Sequence, residues 1–207
     1  MSSTPDVQRP DGRTARRDRN RLAVLDAMIE LFSEDVDPGP EAVAERSGVS
    51  PRSVYRYFED RDELLRAAID RQLELTYPLQ LIHQIGRGSL EERIDRFVNA
   101  RLRLYEAVAS SARTARVRGR VNPTVAEMVS LTHRGLREQV VLQFAPELEL
   151  LDARDQRSVL STVDALTQFE TLDLYRIVQG LSTSMVRTVL VDALRALFDP
   201  ATTSDTE

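Results

Sequence analysis

The sequence predicts an all-α protein, with a small N-terminal helix-turn-helix domain followed by a larger helical domain, about nine helices in all. Apolar residues recur at helical spacing along most of the 207 residues, and strand-like alternation is scarce. Proline and glycine gather at a few places and cut the chain into helix-length pieces. Cysteine is absent, which excludes a disulfide scaffold, a thiolate metal site and a cysteine nucleophile.

Residues 1–13, with Pro5 and Pro10, read as a disordered basic arm. A first helix is expected over residues 14–33, where Leu22, Leu25, Ile29 and Phe32 mark one buried face. The stretch from Asp35 to Pro40 ends it. A second, short helix opens at Pro40 or Glu41, since proline is tolerated in a first turn, and closes near Ser47. Gly48 suits a left-handed C-cap. Ser50 caps a third helix that Pro51 opens and that ends near Tyr57 or Phe58. Asp60 caps a fourth through about Leu75, with Asp62 and Glu63 favouring its dipole.

Beyond Tyr77 and Pro78 the helices lengthen, with expected spans of 78–85, 90–116, 123–143, 153–169 and 182–198. Breaks fall at Gly86 to Gly88, Gly119 to Pro123, Pro146 and Gly180. Residues 200–207 read as a disordered tail. The organisation is thus an arm at 1–13, a small helix-turn-helix domain at 14–76, a larger helical domain at 77–199, and the tail.

Net charge is −5, which at first argues against a nucleic-acid partner. Its distribution argues the other way. Residues 7–25 carry six arginines against two acids, residues 26–45 carry seven acids and no base, and residues 46–57 carry three arginines and no acid. Two basic segments therefore flank an acidic one. All 28 basic residues are arginine, but they are spread along the whole chain. A GC-rich genome explains that better than selection for phosphate forks. No apolar run approaches the ~18 residues of a membrane span, and the polar N-terminus lacks a signal-peptide segment. A cytoplasmic protein with no membrane partner is expected.

Two short helices joined by a tight glycine turn form a DNA-reading motif whose second helix enters the major groove. Val54 and Phe58 share the face that packs on Val43, Ala44 and the first helix. Arg52, Ser53, Tyr55 and Arg56 then project outward, with chemistry suited to guanine edges, bases and phosphates. Ser50 lies at a helix N-terminus, a natural phosphate site. The arm from Arg9 to Arg21, Arg16 and Arg17 within it, supplies phosphate or minor-groove contacts, and Arg61 is a further phosphate candidate.

The run Ala42-Val-Ala-Glu-Arg-Ser-Gly-Val-Ser50, followed by Pro51-Arg-Ser-Val-Tyr-Arg-Tyr-Phe-Glu-Asp-Arg-Asp-Glu-Leu-Leu65, resembles the signature of the tetracycline-repressor-like (TetR) family. The likeness covers residues 22–69. The resemblance implies DNA contacts from the third helix and the start of the fourth: Ser50, Arg52, Ser53, Tyr55, Arg56, Tyr57 and Arg61. Arginine stands at position 61 where the family usually has lysine, which preserves the charge. The loop before the second helix is about two residues short, and Asp37-Pro-Gly-Pro40 replaces the usual glycine-aromatic and threonine cap.

The resemblance also implies that the remainder binds an effector and dimerises. Polar residues interrupt its apolar stripes. Arg101 sits among Ile94, Phe97, Val98, Leu102 and Tyr105, and His133 among Val129, Leu136 and Val140. A buried arginine needs a partner, either a protein acid or an acidic ligand. With Tyr105, Met128 and Phe169, these two residues are the candidate effector contacts. Val159, Val163, Leu166 and Phe169 form one stripe near the C-terminus. Met185, Val186, Val189, Leu190, Ala193 and Leu197 form a broader one, wide for a helix with a single neighbour. A four-helix bundle between two copies would use both.

The function expected is a ligand-responsive repressor that binds double-stranded DNA as a homodimer. The alternative is a DNA-binding regulator acting through a protein partner. An enzyme is disfavoured, because His83 and His133 stand fifty residues apart and no phosphate loop, nucleophile elbow or paired-histidine motif occurs. No cofactor or metal is expected.

Overall fold

The computed structural model describes residues 12–34 and 38–199, and these fold as helices joined by turns. The chain divides between Leu73 and Glu74 into two compact units. Of the arm expected over residues 1–13, residues 1–11 lie outside the described residues, as do the tail from Pro200 onward and Asp35 to Asp37 of the first loop, while residues 12 and 13 are already helical.

The first unit holds α1 (Gly12–Ser33), α2 (Pro40–Ser47), α3 (Pro51–Tyr57) and the start of α4 (Arg61–Gln80). α1 packs against both α2 and α3. Its buried stripe differs from the expected one: Leu22 is 40 % exposed and Ile29 and Phe32 are half-buried. Leu25 is buried as expected, and Val24, Ala27, Met28 and Leu31 fill the rest of the interior. Both stripes have the helical period, and the docking of α2 and α3 selects between them. Val43, Val54 and Phe58 complete this core as expected, and each large side chain withdrawn from water contributes roughly 1.5–3 kcal/mol.

The caps follow local chemistry with one exception. Gly48 adopts φ 66°, ψ 16° and its N–H donates to the Glu45 carbonyl, the left-handed turn that glycine permits at little cost. Asp60 Oδ1 accepts from the Glu63 N–H at 2.7 Å, while Glu63 Oε2 accepts from the Glu59 N–H at 2.5 Å. Ser50 occupies the N-cap of α3 but makes no side-chain cap bond. Its hydroxyl is turned to Ser53.

α4 runs on through Pro78 to Gln80, so the separate helix expected at 78–85 does not form. A proline costs a helix one hydrogen bond and some steric freedom, which is tolerable one turn from an end. The chain then turns through Gln84, Gly86 and Gly88, all at positive φ. Gly86 is required there, because a Cβ would lie 2.8 Å from the Leu142 carbonyl oxygen.

The second unit is organised on α5 (Leu90–Arg118), against which α6 (Pro123–Gln143), α9 (Phe169–Asp173) and α10 (Thr183–Phe198) pack. α8 (Ala153–Thr167) touches α6, α9 and α10, and the single turn α7 (Ala145–Leu148) joins α6 to α8. Ser89 and Glu92 form a reciprocal capping box at the start of α5. Phe97 meets Phe144 edge-on at 5.3 Å, and Phe144 stacks on Phe198 at 4.7 Å. A polar hub penetrates this core. Gln143 donates to the Arg93 carbonyl and accepts from the Gly86 N–H, while Arg93 pairs with Glu147.

Three expectations for this unit need correction. Pro146 does not simply break the chain; it sits in the first turn of α7, where a missing N–H costs nothing. The helix expected over 153–169 stops at Thr167, and Phe169 begins α9, which passes into a π-helical turn at Leu174–Val178. In α10, Met185 is 51 % exposed, while Val191 and Leu194 join Val186 and Leu190 in the core. The width of that stripe is accounted for within the chain, since α10 packs on α5, α8 and the π-turn together.

Candidate nucleic-acid interface

α3 divides cleanly by face. Val54, Tyr57 and Phe58 are buried; Ser50, Arg52, Tyr55 and Arg56 are exposed, and Ser53 is half-exposed. The exposed side chains are tied to one another. The Ser50 hydroxyl donates to Ser53 Oγ at 3.1 Å, and Arg56 Nη2 donates to the same oxygen at 3.3 Å. Arg56 also lies 5.3 Å from the centre of the Tyr57 ring. Tyr57 falls three residues from Val54, hence on the inward face, and serves this surface as the plate beneath Arg56.

Tyr55 is held from outside its own helix. Its hydroxyl donates to Glu41 Oε1, at the start of α2, at 3.2 Å. The Glu41 hydrogen bond, with burial and charge adding to it, raises the phenol above its usual pKa. Glu41 had no sequence signal for this role, being fourteen residues away.

Arg46 belongs to the basic segment in sequence but not in effect. Its Nη1 and Nη2 donate to the two oxygens of Glu34 at 2.8 and 2.9 Å, and Nη1 reaches Glu30 at 3.4 Å. The Glu34 carboxyl is held below its usual range by this hydrogen bond. Part of the acidic run is thereby spent on Arg46. Arg16, Arg17 and Arg61 are exposed, whereas Arg21 lies over the Phe58 ring at 5.0 Å.

In the second unit the structure brings most of the candidate effector residues together. Tyr105 and Phe169 face one another at 5.4 Å. The Tyr105 hydroxyl donates to Asp173 Oδ1 at 2.8 Å, which also accepts from Arg113 Nε at 2.8 Å. Burial first, and the Asp173 bond second, raise the Tyr105 phenol. Arg116 lies 4.0 Å from the Phe169 ring centre, bonds Glu170 at 2.5 Å and approaches His133 Nε2 at 3.3 Å. His133 is half-exposed, not at the centre of a stripe. Arg113, Arg116, Glu170 and Asp173 carry no sequence signal of this cluster, because both partners of each pair bear charges typical of a solvated surface. Met128 is half-buried and its Sδ lies 3.9 Å from Thr132 Oγ1. Arg101 stands apart: it is buried against α6, donating to Gln139 Oε1 and the Leu136 carbonyl.

Residues 24–68 match the family model of bacterial regulatory proteins of the tetR family. The N-terminal unit carries a tetR-family helix-turn-helix. No curated protein matches the chain. Solved structures match most of its length. A tetR-family transcriptional regulator from Streptomyces coelicolor superposes with a TM-score of 0.68 at 19% identity, covering 87% of this chain and 80% of the other. A Rhodococcus sp. protein assigned to the same family gives 0.67 at 18%, covering 87% and 99%. The multidrug binding protein EbrR, complexed with imidazole, gives 0.56 at 14%, covering 84% and 93%.

Within this tetR-family motif the geometry supplies exposed donors on α3 and a rigid base beneath them. Gly39 takes the N-cap of α2 with extended backbone and Pro40 follows, so the usual threonine cap is replaced by backbone geometry. Among the described residues, no helix is long and apolar enough to cross a membrane.

Proposed function

We propose that the chain is a cytoplasmic, ligand-responsive repressor that binds a palindromic operator in double-stranded DNA as a homodimer. The observation that carries this reading is the division of α3, whose exposed face is Ser50, Arg52, Ser53, Tyr55 and Arg56 over a buried face of Val54, Tyr57 and Phe58. Such a helix offers guanidinium forks and hydroxyls to base edges and phosphates. Arg16, Arg17 and Arg61 supply phosphate contacts, which add affinity without sequence preference.

A single seven-residue helix reads little DNA, and a two-fold pair would place two of them about one helical turn or a multiple apart. Homodimerisation is assigned to α8 and α10. Their outward faces carry the exposed Ser161 and Ala165, and Met185, Thr188 and Ala196, small or flexible side chains that allow close helix approach. The effector is assigned to the second unit, at Arg101, Tyr105, Met128, His133 and Phe169. The likeness of fold to EbrR, itself a multidrug binding protein, supports a small ligand. A ligand favouring the state with misplaced recognition helices would release DNA.

Footprinting on genomic fragments tests the reading. A protected palindrome with steep salt dependence is expected; binding to every fragment alike, or to none, would sink it.

A further inference from the structure

Arg101 is 3 % exposed, and its two terminal nitrogens each hold one oxygen at 2.7 Å: Nη1 the amide oxygen of Gln139, Nη2 the main-chain carbonyl of Leu136. The Phe97 ring centre lies 4.5 Å from the guanidinium carbon. Neither oxygen carries a formal charge. Arg93, two turns earlier on the same helix and equally buried, is paired with Glu147. The acid whose charge reaches Arg101 is Asp164, and that carboxylate is already engaged by Arg137 at 3.0 Å and Gln168 at 2.6 Å. Burial, opposed by the Asp164 charge, pulls the Arg101 guanidinium down to about 10, so it remains a cation at neutral pH. A buried cation without a directly bonded counter-ion is strongly unfavourable.

We infer that Arg101 is the receptor for a carboxylate group on the effector, which takes the places now filled by the oxygens of Gln139 and Leu136. This rests on the effector-binding reading above. The two donors already point at a pair of oxygens, and a carboxylate offers two oxygens on one planar group to that same fork, with a charge to match. Leu136 lies inside α6, where its carbonyl also serves the helix ladder, so it can release Arg101. Gln139 is half-buried and is the exchangeable partner. Its other end donates from Nε2 to the Gln80 carbonyl at 2.9 Å, on the last residue of α4. Displacing Gln139 from Arg101 would therefore act on a residue that also bonds the last residue of α4.

Thermal unfolding of the full chain tests this with acetate, hexanoate and benzoate, against hexanol, benzyl alcohol and inorganic phosphate. At a hundredfold excess over its Kd, a carboxylate should raise Tm by roughly 5–10 °C while its matched alcohol does not. Arg101→Met should abolish the response and, without ligand, unfold at a higher temperature than the parent, because a buried charge is gone. Should that variant fail to fold, Gln139→Leu decides. It frees the fork of its competitor and should tighten carboxylate binding about tenfold, the worth of one hydrogen bond no longer displaced. Absence of any carboxylate response, a response to phosphate instead, full response in Arg101→Met, or unchanged affinity in Gln139→Leu would each overturn the inference. Footprinting on the same preparations separates it from the parent reading. Operator binding without a carboxylate response removes the carboxylate site alone, and a carboxylate response without operator binding removes the regulator alone.

Discussion

Arg56 and Arg61 are both exposed arginines close in sequence, yet different effects are expected of them. Arg56 is aimed by Ser53 and supported on Tyr57, an arrangement that suits a base edge. Arg56→Ala should cost about 1–3 kcal/mol on the operator and relax base preference. Arg61→Ala should weaken all sequences alike and lower the salt slope by about one. Equal losses on random DNA in a titration series would show that Arg56 touches only phosphate. Glu41 adds a negative charge beside Tyr55 and fixes its hydroxyl. Glu41→Ala should bring the Tyr55 phenol back toward its ordinary pKa, seen in an ultraviolet titration. The same variant should raise affinity for random DNA while narrowing the margin for operator over non-operator.

At the scale of elements, the turn between α2 and α3 rests on Gly48. A Cβ there would meet nothing within 4 Å, so the cost of Gly48→Ala is one of backbone alone, about 1–2 kcal/mol for a left-handed residue. Urea unfolding should show that loss without a change in slope. The short α9 is fastened to α5 by ion pairs, Arg116 to Glu170 and Arg113 to Asp173. Burial pushes the Glu170 carboxyl up, but the Arg116 bond and charge outweigh it and leave it below its usual value. A carboxyl depressed on folding stabilises above its unfolded pKa, near 4.3, and that contribution fades as pH falls through the folded value. Tm should therefore decline below about pH 4 in the parent, and less steeply in Glu170→Gln. Neither α9 nor the π-turn was legible. Thr167 and Gln168 carry no strong breaking signal, and the helix stops there because Phe169 settles on Tyr105 and Arg116.

For the whole molecule, Val186 and Leu190 of the sequence stripe that pointed to a dimer lie in the core, where Val191 and Leu194, outside that stripe, join them, while Met185 is exposed. The proposed two-fold contact rests instead on the outward faces of α8 and α10. Ala165→Arg or Thr188→Arg should yield monomers in sedimentation while leaving the helical signal intact. Those monomers should protect isolated half-sites weakly and lose the full operator. A dimer undisturbed by both changes would move the contact elsewhere.

The helical class, most helix boundaries and the split face of α3 follow from the sequence alone, because they depend on 3.6-residue periodicity and on local chemistry at Gly48, Pro51 and Asp60. Tertiary structure decided what local chemistry leaves open. It chose which of two apolar stripes of α1 faces inward, and set Glu41 against Tyr55 and Glu34 against Arg46. It carried α4 past Pro78. It also left Arg101 with two neutral oxygens where Arg93 has a carboxylate. Each of those outcomes depends on partners far apart in the chain, whose meeting is fixed only once the helices have docked.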